Sequence, residues 1–236
     1  MKKRRARARL RGYAPPVPRP DGEAKAALRI AAGREKAKRV RLTVTSFYDV
    51  LDEAAEKMVA REGDISCAKG CAACCNMTVQ SSIEEALVIV QRYPDVVHDV
   101  LPELVRQEER LDEIVKEEKL VDFISPEGAA VLSRRWWQEA RPCAFLRDGL
   151  CSIYEARPYA CRNYFVKSDP ALCGGPPGTK VTMCTPVDRA RGLELLAARL
   201  PNGTINLGLL PTAMRHAVKI SHTLYGTKPE PERPPP

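Results

Sequence analysis

The sequence predicts a mainly α fold: a compact helical domain that carries a cysteine-rich, loop-rich segment and short extended pieces. Three observations support this prediction. Apolar residues recur at helical spacing, strong helix-forming residues dominate between the termini, and strand and helix patterns do not alternate as they would in an α/β protein. With 236 residues, of which 44% are hydrophobic, the chain is long enough to bury the core of one domain.

Two helical segments precede the first cysteines. Residues 24–40 are rich in helix-forming residues but offer little apolar face, so we expect them to be only partly ordered. Residues 46–63 indicate a second helix, for which Gly63 is a plausible end. The predicted apolar side of this second helix comprises Phe47, Val50, Leu51, Ala54 and Met58.

The next helices follow the first cysteines. Ser82 and Glu85 have the spacing of a capping box, which predicts a helix that begins there and ends at Pro94. Residues 94–120 carry apolar residues among many charges and indicate one or two amphipathic helices. Pro102 would open the second of these, because proline is allowed in the first turn of a helix.

The C-terminal half contains two further helical patterns and a turn. Residues 126–140 indicate one helix, and a final helix is expected to start at Pro211. Short extended pieces are plausible only at residues 144–146 and 151–154. The pair Asp148-Gly149 lies between them and is a turn signal.

The charge is distributed unevenly along the chain. Residues 1–41 contain 15 Lys and Arg against three acidic residues, whereas the remainder contains 23 against 27. We therefore divide the chain into a disordered basic tail (1–20), a helical cysteine-cluster domain (21–226) and a disordered proline-rich tail (227–236). The basic tail is either a solubilising arm or a segment that contacts a polyanion such as nucleic acid.

Several classes of protein do not fit the sequence. It has no run of about 18 apolar residues, so no membrane association is expected. The basic N terminus lacks the apolar region of a secretory signal. We therefore expect a protein of the reducing cytoplasm, where clustered cysteines are more often metal ligands than disulfides.

Eight of the nine cysteines fall into two groups. The first group is the segment CAKGCAACC, and the second is spread through a stretch rich in proline and glycine. Because that stretch has little apolar periodicity, we expect metal ligation to order it. The candidate metal ligands are Cys67, Cys71, Cys74, Cys75, Cys143, Cys151, Cys161 and Cys173, and Cys184 is the leftover thiol.

Several chemistries compete for these thiols. Disulfides conflict with the odd number of cysteines and with the adjacent pair Cys74–Cys75. A thioredoxin-like redox pair lacks its βαβ context. The C-x3-C-x2-C spacing at Cys67, Cys71 and Cys74 matches radical S-adenosylmethionine enzymes, but the strands of their barrel are missing. Metal binding is therefore favoured, and dispersed thiolates favour an iron–sulfur cluster, such as 4Fe-4S, over a zinc site.

Two sequence blocks together resemble the YkgJ-type cysteine-cluster family, described as zinc- or iron-chelating. The first is CAKGCAACCNMTVQSSIEEALVIV, and the second is RPCAFLRDGLCSIYEARPYACRNYFVKSDPALC. The matched motif segments lie within residues 65–80 and 141–175. The motif is also similar to that of flagellin lysine N-methylases, in which the same cysteines are thought to carry an iron–sulfur cluster. The resemblance implies metal binding.

Three further residues are candidates for contact with the bound group. The charges of Arg157 and Arg162 can offset several thiolates, and the ring of Tyr154 can cover the site and exclude water. In the alternative interpretation, the arginines are ordinary surface residues, and Glu155 is an ion-pair partner of one of them.

Two functional hypotheses follow from the sequence. The first is a metal-binding, iron–sulfur protein in which one or two centres tie residues 67–75 to residues 143–173, in support of a redox or protein-modification reaction. The second is a zinc-stapled interaction module whose basic arm binds nucleic acid. The sequence identifies neither the protein partner or substrate nor an enzyme class.

Overall fold

A computed structural model of the protein describes residues 22–68, 70–123, 125–174, 178–200 and 203–226. Both predicted tails, residues 1–20 and 227–236, lie outside the described residues. Within the described residues the chain is mainly α, as predicted. The helices are α1 (Gly22–Glu62), α2 (Ile83–Arg92), α3 (Pro94–Glu117), α4 (Pro126–Gln138), α5 (Tyr159–Arg162), α6 (Arg189–Ala197) and α7 (Leu210–Tyr225).

One long helix, α1, takes the place of the two that were predicted before the cysteines. The segment 24–40 is helical because Ala37, Val40 and Val44 continue the apolar stripe and are buried. The helix ends as expected: Gly63 adopts a left-handed φ of 72°, and its N–H donates to the Val59 carbonyl. Val50, predicted on the apolar side, is instead 37% exposed.

Helices α2 and α3 meet at Pro94, and α2 has the predicted capping box. The Ser82 Oγ accepts the Glu85 N–H at 3.1 Å, and the Glu85 carboxylate accepts the Ser82 N–H at 3.0 Å. The structure corrects the prediction for Pro102, which lies inside α3 and does not begin a new helix. Buried Leu101 and Leu104 flank it, and their packing offsets the hydrogen bond that proline cannot make.

The core lies where α1, α2, α3 and α7 pack against one another. Each of these helices contributes at least one fully buried side chain: Phe47, Ile89, Leu104 and Met214, in that order. A second cluster joins α3 to α4 and includes Ile114, Leu132 and Trp136. These helices form the core against which the cysteine segments pack.

Three short antiparallel pairs of strands complete the described fold. They are β1 (Gln80–Ser82) with β6 (Leu207–Leu209), β2 (Leu146–Arg147) with β3 (Leu150–Cys151), and β4 (Phe165–Val166) with β5 (Met183–Cys184). Only the second pair lies near the predicted extended pieces. None of the described helices is long and apolar enough to cross a bilayer.

Candidate metal centre

The first cysteine segment is a wrapped loop that ends in a 3-10 turn, Ala73–Asn76. Gly70 has a φ of 92°, a conformation that side chains rarely adopt, so the glycine permits the loop to reverse just before Cys71. The backbone bonds are local: the N–H of Cys71 donates to Ala68, and that of Cys75 donates to Ala72. This loop holds four thiols on a short length of backbone.

The second cysteine segment begins with the hairpin formed by β2 and β3. Asp148 and Gly149 both have positive φ, 50° and 77°, as a two-residue turn with right-handed strand twist requires. The hairpin places Cys151 opposite Leu146. It therefore returns the chain toward Cys143, as the Asp-Gly turn signal predicted.

Direct hydrogen bonds join the two cysteine segments. The N–H of Cys143 donates to the carbonyl oxygen of Cys75 at 2.7 Å, and the N–H of Ser66 donates to Val166 at 2.9 Å. The N–H of Val166 in turn donates to the sulfur of Cys67 at 3.3 Å. Residues that are distant in sequence therefore form one site.

Six of the eight candidate ligands line a single cavity of about 100 Å³, which we call the cysteine cavity. Buried Phe145 and Ile153 contribute apolar walls, and Arg157 contributes the only cation among the lining residues. The six lining cysteines are Cys71, Cys74, Cys75, Cys143, Cys151 and Cys161. The predicted convergence of both cysteine groups is therefore present.

Cys67 and Cys173 do not line the cysteine cavity but lie beside it. The 3-10 turn Pro170–Gly174, which contains Cys173, packs against the turn that contains Cys74. Cys173 also lines a separate cavity of about 370 Å³ and hydrogen-bonds with the hydroxyl of Tyr164. Tyr164 was not anticipated, because nothing in its sequence context distinguishes it from a core tyrosine.

The environment of the thiols favours their neutral form. Burial raises the pKa of Cys143 to about 11 and that of Cys161 well above its ordinary value. The pKa of Cys74 is raised mainly by a hydrogen bond with the Cys75 thiol. These thiols therefore carry their protons at neutral pH until a metal cation displaces them.

The two predicted contact residues that reach the cysteine cavity are Arg157 and Tyr154. The Arg157 guanidinium lies over the Tyr154 ring, 3.8 Å from its centroid. Its charge opposes the effect of burial, because it lowers the pKa of Cys74, Cys151 and Cys161. The buried Nε–H of Arg157 has no hydrogen-bond partner among the described residues. A donor in this position suits an anionic sulfur acceptor.

Arg162 does not line the cysteine cavity, and its described contacts are structural. Its side chain is 4% exposed, and Nη1 contacts both carboxylate oxygens of Asp52 at 2.6 and 2.7 Å. The guanidinium also lies 4.1 Å from the centroid of the Tyr48 ring and donates to the Glu155 carbonyl. Arg162 thus fixes the end of α5, which carries Cys161, against α1.

The other end of α5 is anchored by Glu85. Its carboxylate accepts the backbone N–H of Tyr159 at 2.6 Å and the hydroxyl of Tyr48 at 3.2 Å. Burial raises the pKa of Glu85, although these bonds act in the opposite direction. The sequence predicts only the capping role of Glu85. The local sequence does not indicate that Glu85 also anchors α5, because Tyr159 lies on a distant segment.

The remaining candidate residues lie away from the cysteine cavity. Cys184 is on β5, opposite Phe165, and none of the three histidines lines the cavity. As the side chains stand, no three Cys, His, Asp or Glu residues in the described part of the chain are placed to hold one metal ion. Binding a metal in the cavity therefore requires the cysteine side chains to move closer together.

Comparison with known families agrees with this geometry. Residues 66–174 match the family model CxxCxxCC, described as a "Putative zinc- or iron-chelating domain". Over this segment the chain resembles the CxxCxxCC cysteine-cluster family. The resemblance noted from the sequence is confirmed, and the match supports metal binding in general terms. Neither a curated protein nor a solved structure matches the chain.

Proposed function

We propose that this protein holds an iron–sulfur cluster, of the 4Fe-4S type, in the cysteine cavity. The observation that carries the proposal is the set of six cysteines around a single cavity of about 100 Å³. Zinc and a 4Fe-4S cluster each take four protein ligands, but structural zinc sites use closely spaced ligand pairs, whereas the larger cluster accepts thiolates from dispersed positions. No histidine or carboxylate lines the cavity, so the donor set there is all sulfur.

The chain's own residues have separable roles around such a cluster. The thiols of the cavity would ligate iron, buried Phe145 and Ile153 would exclude water, and Arg157 would place one positive charge beside the thiolates. The unpartnered Nε–H of Arg157 supports this role, because it gains an acceptor when sulfide or thiolate is present. A bound cluster supplies one-electron redox chemistry.

We extend the proposal to a second, adjoining centre that involves Cys67 and Cys173. Both lie outside the cysteine cavity, and both interact electrostatically with Cys71 and Cys74. The 3-10 turn that contains Cys173 packs against the 3-10 turn that contains Cys74. The eight candidate thiols exceed the four that one cluster uses, which supports a second centre, and Cys173→Ser is expected to lower the metal content.

The test is metal analysis of protein purified without oxygen. Iron and acid-labile sulfide in similar amounts, with visible charge-transfer absorbance, are the expected result. Zinc alone, with no visible band after reconstitution with iron and sulfide, would show that the thiols form a zinc-stapled module instead.

We also place the protein in a reducing compartment such as the cytoplasm, which the free state of all nine cysteines supports.

A further inference from the structure

The N-terminal part of α1 carries a concentration of exposed positive charge. Between residues 29 and 41 there are six basic residues and a single acidic one, Glu35. The side chains of all six are exposed to solvent. We call this surface the basic face, and it consists of Arg29, Arg34, Lys36, Lys38, Arg39 and Arg41.

The cations of the basic face have no acidic partners in the described part of the chain. Among the residues that the structure describes, none of the six forms an ion pair. Several arginines on α3, α4 and α7, by contrast, are paired with neighbouring carboxylates. These pairs join Arg106 to Glu103, Arg110 to Glu139, Arg135 to Glu117, and Arg215 to Glu108. The positive charge of the basic face is therefore available to an external anion.

The packing of α1 leaves these cations exposed along the N-terminal part of the helix. Ala37, Val40 and Val44 are buried against the core, so the charged side chains occupy the solvent-facing sides of the same helix. Arg34 is held further by a 2.6 Å hydrogen bond from Nε to the Leu224 carbonyl. At a rise of about 1.5 Å per residue, the face extends for about 18 Å, which is the length of several phosphates along a strand.

We propose that the basic face binds the phosphate backbone of nucleic acid, a function beyond metal binding. A membrane surface fits less well, because an interfacial helix needs a free apolar side, and the apolar stripe of α1 is buried. Among the side chains that the structure describes in the N-terminal half of α1, Leu42 is the one large hydrophobic residue that is exposed. Phosphate contacts alone give binding that depends on salt and not on base sequence.

The experiment compares two variants of the full chain that remove equal charge. The first replaces Lys36, Lys38, Arg39 and Arg41 by alanine, which preserves helix propensity. The matched control replaces four exposed cations that are ion-paired elsewhere: Lys57, Arg61, Arg106 and Arg191. Binding of a fluorescent 20-base-pair DNA duplex is measured between about 50 and 200 mM salt. Circular dichroism and metal content verify that both variants fold.

We expect the basic-face variant to bind the duplex on the order of tenfold more weakly. The slope of log affinity against log salt should fall by about one for each lost phosphate contact. The control should bind like the unmodified chain. If both variants lose the same affinity for the duplex, net charge alone explains the loss, and the proposal is wrong. Three other results would also overturn the proposal. They are a lack of duplex binding, binding to anionic vesicles only, and loss of duplex binding when residues 1–20 alone are deleted.

Discussion

The backbone N–H of Cys143 donates a 2.7 Å hydrogen bond to the carbonyl oxygen of Cys75, although α2, α3 and α4 all lie between them in sequence. This bond places the start of the second cysteine segment directly on the end of the first. Ligand binding at either segment therefore stabilises the other, because both contribute thiols to the same cavity.

Replacing one thiol in each segment should have the same effect. Cys71→Ser and Cys161→Ser are each expected to lower bound metal and to destabilise the fold by about 2–4 kcal/mol, since metal binding adds to folding free energy. Metal-to-protein ratio and denaturant unfolding measure the two effects. Cys184→Ser is the control, because this cysteine lies outside the cavity. Normal metal content in Cys161→Ser would confine the site to residues 67–75.

The ion pair between Arg162 and Asp52 should be important for stability. Asp52→Asn leaves the guanidinium, whose side chain is 4% exposed, without its charged partner. We expect a loss of about 1–3 kcal/mol in unfolding free energy, moderated by the half-exposed position of Asp52. Glu53→Gln on the same helix breaks an exposed pair with Lys57 and should have no measurable effect. Equal effects in the two variants would contradict a structural role for the Asp52 pair.

Glu85 should make stability depend on pH in a defined direction. Burial raises its pKa in the folded protein, so the folded state retains a proton that the unfolded state has lost. The contribution of Glu85 is therefore largest below its ordinary pKa of 4.5 and decreases as pH rises through the folded value. Tyr48 from α1 and Tyr159 from α5 face this carboxylate and stay neutral over this range.

The variant Glu85→Gln tests this expectation, because glutamine does not titrate. We expect it to be less stable than the unmodified protein in acid, and the difference should narrow as pH rises. Chemical unfolding at a series of pH values above 4 measures the difference. If the difference in unfolding free energy between the two proteins stays constant or widens as pH rises, the surroundings of Glu85 do not raise its pKa.

The conformation of Gly70 should limit which residues can replace it. Alanine at this position would need a φ near 92°, so Gly70→Ala is expected to cost about 1–2 kcal/mol and to displace Cys71. Gly208→Ala is the matched control, because no atom lies within 4 Å of the added methyl group and its φ is not positive. Urea unfolding and metal content are the measurements. If both variants are equally stable, the left-handed turn is not required.

Local chemistry explains which parts of the site were predictable. The Asp148-Gly149 turn and the capping box act over a few residues, and both appear in the structure as expected. Helix α6 was missed, because its apolar periodicity is weak and its N-cap, Asp188, carries most of the signal.

The anchors of α5 could not be predicted from sequence. The carboxylates of Asp52 and Glu85 are ordinary helix residues until tertiary packing brings them to Arg162 and Tyr159. The continuity of α1 was missed for a related reason: the burial of Val40 depends on the surface offered by the other helices. Long-range packing, and not propensity, decided these features.

The pairing of β1 with β6 has a consequence for biosynthesis. Residues 80–82 are synthesised well before their partners, residues 207–209. The thiols of the first segment are likewise synthesised before residues 143–161, which supply the other cysteines of the cavity. A nascent chain therefore carries the thiols of the first segment without the cysteines that complete the cavity. Any group that the cavity binds can meet all six lining cysteines only after both segments have been synthesised.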